Sequence, residues 1–136
     1  MHLPPVGLGT MGIDDPAAIE TALTLGYRHL DTARIYDNEA VVGDGLADGL
    51  AASDVDRDAV TVATKLWVDD LGAEDVAPTA RESAELLGVE TLDLLYVHRP
   101  RGAYDPAETL PALDRLVDEG LVEHVGVSNF EIEDLD

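Results

Sequence analysis

Residues 60–98 read VTVATKLWVDDLGAEDVAPTARESAELLGVETLDLLYVH. The stretch opens on a β-branched run, Val60 to Leu66. It passes through a helical segment, Ala73 to Leu87, ended by Gly88, and closes on an apolar run, Leu92 to His98, stopped by Pro100. Short apolar runs rich in β-branched residues and bounded by Gly or Pro read as buried strands. Strand, helix and strand in that order make a βα unit of a parallel sheet.

The same alternation extends in both directions. Upstream, Gly7 to Thr10 (GLGT) reads as a brief strand entering a turn. Pro16 to Leu25 has helical periodicity, with Asp15 as N-cap, Pro16 at the first position and Gly26 past the end. Tyr27 to Leu30 reads as the next strand, and Asn38 to Leu50 as a second helix, loosened by Gly43, Gly45 and Gly49. Downstream, Asp105-Pro106 opens a fourth helix that runs through Glu119 to Gly120, with Pro111 tolerable only near its first turn. Val125 to Val127 reads as a short strand, and Phe130 to Asp136 as the opening of another helix.

Polar landmarks fall at the strand ends with an even period. Asp31 to Lys65 is 34 residues, Lys65 to His98 is 33, and His98 to Asn129 is 31. One βα unit per ~30 residues suits a (β/α)₈ TIM barrel, which typically takes ~250 residues. The fold class expected is therefore α/β, with about the first five βα units of such a barrel in residues 1–136, as the N-terminal portion of one barrel domain.

Composition narrows the functions open to the chain. The formal net charge is −21, the hydrophobic content is 46%, and there is no cysteine. Scattered acids, with pairs such as Asp14-Asp15 and Asp69-Asp70 at expected loops, describe a solvated acidic surface. Non-specific nucleic-acid binding needs a basic patch and is excluded. Thiolate metal sites and disulfides are excluded with cysteine. No apolar run reaches the ~18 residues of a membrane span, and MHLPPVGLGT lacks a signal-peptide pattern, so a cytoplasmic protein is expected. The cations are seven arginines and one lysine. Acid excess with lysine nearly eliminated points to a halophilic cytosol, where molar salt screens charge within ~3 Å.

Four successive strands place a polar residue where an apolar run meets its loop: Asp31, Lys65, His98 and Ser128-Asn129. In a barrel that end carries the chemistry. Lys65 is the most informative of them. A surface cation could have been arginine, as elsewhere in this chain, so the single lysine must offer a compact, tunable ammonium. Next to Tyr36 it stabilises the negative charge that a phenol acquires on giving up its proton, while Asp31 holds the ammonium charged and in place. The combination reads as a general acid.

GLGT, HLDTARIYDNE, TKLW, LDLLYVHRP and GVSNF follow one another in the order of the signature segments of the aldo-keto reductases, which the chain resembles over essentially its whole length. It is most similar to the small monomeric prokaryotic reductases of the diketogluconate-reductase type. The resemblance implies hydride transfer from a nicotinamide cofactor to the carbonyl carbon of an aldehyde or ketone. It implies a catalytic tetrad of Asp31, Tyr36, Lys65 and His98, with Tyr36 as proton donor and His98 orienting the carbonyl. It further implies that Thr10 and Asp31 lie at the cofactor, that Ser128 and Asn129 hold the nicotinamide carboxamide, and that Trp67 lines the substrate pocket with Tyr36 and His98. NADPH is the cofactor the family favours, with NADH also open. One departure is Arg99, where the family usually has Trp after the strand-four histidine. The other is the C-terminal third of the family, which supplies much of the cofactor's binding surface.

Three other readings compete with this one. Gly7-Leu8-Gly9-Thr10-Met11-Gly12 satisfies GxGxxG, with Asp31 downstream, as in a Rossmann fingerprint. Its preceding strand is short and proline-bearing, and that reading leaves Tyr36, Lys65 and His98 unused. A metal-dependent hydrolase has no HxH or HExxH pair among His2, His29, His98 and His124. The third reading is a truncated or split barrel, inactive alone or needing a complementing chain, because five strands leave two open edges that favour association.

Overall fold

A computed structural model describes residues 1–136. Five strands form one parallel sheet in the order of the chain: β1 (Leu8–Gly9), β2 (His29–Asp31), β3 (Thr61–Leu66), β4 (Leu92–Val97) and β5 (Val122–Val127). Four helices connect them: α1 (Pro16–Thr24), α2 (Glu39–Ser53), α3 (Val76–Leu87) and α4 (Pro106–Asp118). Sequential order with a helix after each strand is the barrel arrangement. A doubly wound sheet reverses its order, so the glycine pattern at Gly7–Gly12 is not a Rossmann turn.

Local chemistry explains the helix starts. Asp15 and Asp105 each accept a hydrogen bond from a backbone N–H two residues on, Ala17 and Ala107, at 2.9 Å, and each precedes a proline at the first helical position. Gly88 ends α3 at φ +68, a left-handed turn that glycine adopts without strain. Pro111 lies inside α4 rather than in its first turn, on the exposed face, where water can take the carbonyl left without an N–H donor.

The core lies between the sheet and the helices. Leu30, Val62, Leu66, Leu95 and Val97 are fully buried from the sheet side, and Ile19, Leu23, Val42, Leu87, Leu113 and Leu116 close over them. The three glycines of α2 tighten this layer, contrary to the expectation that they loosen the helix. A Cβ at Gly43 would collide with the backbone of Leu86 and Leu87, and one at Gly45 or Gly49 with the side chains of Ile19 and Leu23. Close approach of α1 and α3 to α2 requires the missing side chains, which outweighs glycine's lower helix propensity.

Further boundaries differ from expectation: β2 spans His29–Asp31 rather than 27–30, α2 runs on to Ser53, and α3 begins at Val76 rather than Ala73. β5 begins at Val122, three residues earlier than the apolar pattern indicated, because Glu123 and His124 sit exposed on an edge strand and hide its periodicity. The segment after Phe130 is a short 3₁₀ turn, Ile132–Leu135, closed by a capping box between Glu131 and Asp134. β1 pairs only with β2, and β5 only with β4, so both sheet edges are open. No helix is long and apolar enough to cross a membrane.

Candidate active site

The alternation of side chains in β2, β3 and β4 separates two faces. Leu30, Val62, Thr64, Leu66, Leu95 and Val97 turn to the helices. Asp31, Ala63, Lys65, Leu94 and Tyr96 turn to the concave side, and His98 follows Tyr96 just past the end of β4. A trough of about 400 Å³ runs along that side, lined by Gly7, Gly9, His29, Asp31, Lys65, Tyr96, Val127 and Ser128.

At its C-terminal end Lys65, only 7% exposed, is held by two acceptors. Its Nζ donates to Asp31 Oδ1 at 2.8 Å and to the carbonyl of Thr32 at 3.0 Å. The same Nζ lies 5.4 Å from the centre of the Tyr36 ring and 5.8 Å from that of Tyr96. Tyr36 is delivered by a 3₁₀ turn, Arg34–Tyr36, that follows β2 and ends on Asp37 in the left-handed region. The ring of His98 meets Tyr36 edge-on at 6.0 Å and Trp67 edge-on at 5.2 Å. Asp31, Tyr36, Lys65, Trp67 and His98 are therefore brought together from three successive strand ends.

Burial holds the His98 imidazole below the ordinary histidine value of 6.5. The charges of Lys65 and Arg99 push the same way, and Asp31 opposes them. The ring is thus neutral at neutral pH. Its Nδ1 is buried and finds no hydrogen-bond partner in the chain. Burial, followed by the charge of Asp31, raises the Tyr96 phenol, which stays protonated beside the lysine. Gly126 makes room for that ring, since a Cβ there would stand 2.7 Å from Tyr96 Cε1.

The remaining sequence-derived residues take different positions. Ser128 lies on the trough, its N–H donating to Val97 at 3.0 Å. Asn129 is left-handed at φ 58, and its Nδ2 donates to the carbonyl of His98 and to Ser128 Oγ, both at 3.0 Å. Thr10 is fully buried and does not line the trough. Its hydroxyl and its N–H both donate to the Asp31 carbonyl, each at 3.1 Å.

Two residues that sequence reading treated only as the start of a helix prove central. Asn38, 7% exposed, donates through Nδ2 to the carbonyls of Thr10 (2.7 Å) and Ile13 (3.0 Å) and accepts from Thr32 Oγ1 (3.3 Å). Glu39, 3% exposed, accepts from Arg34 (3.2 Å), Thr64 (2.7 Å) and Ser83 (3.1 Å). Arg34 also reaches Glu82 at 2.9 Å. The available signal was the run of polar residues directly after Tyr36, where an N-cap needs only one.

The sequence profile described as "Aldo/keto reductase family" matches residues 5–136. Methylglyoxal reductase DkgB of Salmonella typhi is 39% identical over 137 residues, covering 97% of this chain and 50% of that protein. Among solved structures, the aldose reductase of Schistosoma japonicum superposes with a TM-score of 0.92 at 31% identity, over 99% of this chain and 52% of that one. A protein described as a putative 2,5-diketo-D-gluconic acid reductase B gives 0.87 at 35%, over 98% and 47%. The Bombyx mori aldo-keto reductase in complex with NADP gives 0.86 at 34%, over 94% and 47%. The chain spans about half the length of the relatives it matches.

Proposed function

The chain belongs to the aldo/keto reductase family, and from that premise we propose that it carries the catalytic residues of a nicotinamide-dependent reductase of small aldehydes and ketones. The observation behind this reading is the convergence of Asp31, Tyr36, Lys65 and His98 at one end of a parallel sheet. The residues around the trough suit a nicotinamide. Asn129 uses its Nδ2 within the chain and leaves its Oδ1 as an acceptor, and the Ser128 hydroxyl can donate beside it. These two would hold the carboxamide, with Asp31 nearby and Thr10 fixing the Asp31 backbone. When bound, the cofactor supplies a hydride. NADPH is the proposed form, in line with the Bombyx mori relative's complex with NADP, and NADH is the alternative that a direct comparison of rates decides.

Tyr36 gives a proton to the carbonyl oxygen as the carbon is reduced. Lys65 stabilises the phenolate that results, and Asp31 keeps the ammonium in place. His98 is neutral and its Nδ1 is buried without a partner, so the ring best carries its proton on Nε2, where it can donate to the substrate oxygen. Trp67 forms one wall of the substrate site through its contact with His98. Small polar carbonyls are the proposed substrate class, since two of the relatives are named for methylglyoxal and for 2,5-diketo-D-gluconic acid. The acidic surface fits a cytoplasm of high salt.

Residues 1–136 form, in this proposal, the N-terminal units of a single barrel domain. The open edges of β1 and β5 favour a second reading, in which activity needs further βα units supplied in trans and the chain alone tends to associate. One assay separates these possibilities. NADPH consumption with methylglyoxal is followed in molar salt, for the chain alone and with a polypeptide carrying the remaining units of a relative. Turnover in either arm supports carbonyl reduction, and turnover only in the second arm supports the second reading. Tyr36→Phe should lower kcat by roughly 10²–10⁴-fold while NADPH still quenches the single tryptophan, Trp67. An unchanged rate removes Tyr36 from its role.

A further inference from the structure

Lys65 is held by two neighbours that both connect to one buried amide, Asn38. Its ammonium contacts the Asp31 carboxylate and the Thr32 carbonyl, two groups on adjacent residues just where β2 gives way to a loop. Backbone bonds tie this short segment to its neighbours, Thr32 N–H to the Ala63 carbonyl at 2.9 Å and Thr10 N–H to the Asp31 carbonyl at 3.1 Å, but the ladder fixes neither the Thr32 hydroxyl nor the loop that follows Thr10. Asn38 adds that control. Its Oδ1 takes the hydroxyl of Thr32, whose carbonyl receives Lys65. Its Nδ2 takes the carbonyl of Thr10, whose N–H and hydroxyl both grip the carbonyl of Asp31. A second bond from Nδ2 to Ile13 closes the β1 loop over the same point. Asn38 also lies two residues after Tyr36, at the exit of the turn that presents the phenol.

We propose that Asn38 is a positioning residue that sets the geometry of the Asp31–Lys65 pair relative to Tyr36, through Thr10 and Thr32, without touching substrate. The proposal rests on the reductase reading for its kinetic consequence but not for its structural one. An amide is needed because the site asks for two donors and one acceptor from a single buried side chain. Serine has too few donors and aspartate has none when ionised.

The single lysine makes the test direct. With lysine isotopically labelled in an otherwise unlabelled chain, NMR shows one side-chain ammonium signal, that of Lys65. In Asn38→Ala this signal should move toward that of free lysine and its hydrogen exchange should accelerate. In Leu46→Ala, a core truncation chosen to cost comparable stability, the signal should stay in place. Thr32→Val breaks one arm of the clamp without uncapping the Thr10 and Ile13 carbonyls, so it tests the same link if Asn38→Ala does not fold. It should shift the signal less but in the same direction. In the assay for carbonyl reduction, Asn38→Ala should lower kcat by about 10²-fold, with KM changing much less, as expected when a catalytic group is displaced. An unmoved lysine signal in Asn38→Ala, in Thr32→Val where the first does not fold, or an equal shift in Leu46→Ala, overturns the proposal. Absence of any reductase activity overturns the functional reading instead, and leaves the lysine signal as the test of the clamp.

Discussion

Lys65 Nζ stands 2.8 Å from Asp31 Oδ1 and 5.4 Å from the centre of the Tyr36 ring, so one ammonium ties a strand end to a phenol on the following turn. The lysine is almost wholly enclosed, whereas the aspartate side chain is about one-third open to solvent. The pair is therefore fixed from the lysine side, and the charge of Asp31 can still be felt in the trough.

Replacement of Lys65 tests whether a compact ammonium is required. Arginine keeps the charge, but its planar fork cannot reach Asp31 Oδ1 and the Thr32 carbonyl from the same enclosed space. Lys65→Arg should therefore lower kcat by about 10²-fold or more, close to the loss in Lys65→Met. Steady-state kinetics of the two variants checks this. An arginine variant at the wild-type rate would show that charge alone suffices.

His98 should make stability fall as the medium is acidified. Burial and the neighbouring cations hold its folded pKa below 6.5, so the unfolded chain takes up a proton that the folded chain refuses. Stability is complete above the unfolded value, is lost as pH falls through about 6.5, and stops changing on this account below the folded pKa. Urea unfolding between neutral and mildly acid pH, compared with His98→Gln, isolates the contribution. The difference between the two proteins should shrink toward acid pH, and a constant difference would contradict the assignment.

Glu39 is a buried carboxylate whose three donors come from the turn before it, from β3 and from α3. Glu39→Ala leaves the Thr64 and Ser83 hydroxyls without their acceptor and Arg34 with Glu82 alone, and should cost about 3 kcal/mol, mostly from the two buried hydroxyls left unpaired. Glu39→Gln keeps an acceptor for Thr64 or Ser83 but not the charge, and should cost less. Denaturant midpoints of the two variants give the ranking, and near-equal midpoints to wild type would mean that helix packing alone holds α2 and α3 on the sheet.

Gly43 sets two rules against each other. Helix propensity predicts that Gly43→Ala stabilises by about 1 kcal/mol. Packing predicts the opposite, because the new Cβ would meet the backbone of Leu86 and Leu87, which cannot swing away as a side chain can. Overpacking of this kind costs about 1–3 kcal/mol, so net destabilisation is expected. A raised Tm would show that α2 and α3 can move apart freely.

Much of this architecture is legible in the amino-acid sequence. Asp15-Pro16 and Asp105-Pro106 announced helix starts because an N-cap acts through bonds to N–H groups two residues away. Val60–Leu66 and Leu92–His98 announced buried strands because their helix-facing residues are wholly enclosed and most of their concave-face residues nearly so. β5 was less legible, since an edge strand with exposed polar residues loses its apolar signature.

The alternation of strands and helices, and the polar residues at the strand ends, can be read from the order of residues alone. Those features follow from contacts within a few residues, which a linear pattern records. Three-dimensional packing alone shows that the glycines of α2 make room for α1 and α3, that Tyr96 lies beside Lys65 on the neighbouring strand, and that Asn38 and Glu39 bond to groups on distant elements. Asn38 finds Thr10 across 28 residues and Glu39 finds Ser83 across 44. Such pairings depend on how the βα units register against one another, and a donor or acceptor carries no local mark of its distant partner.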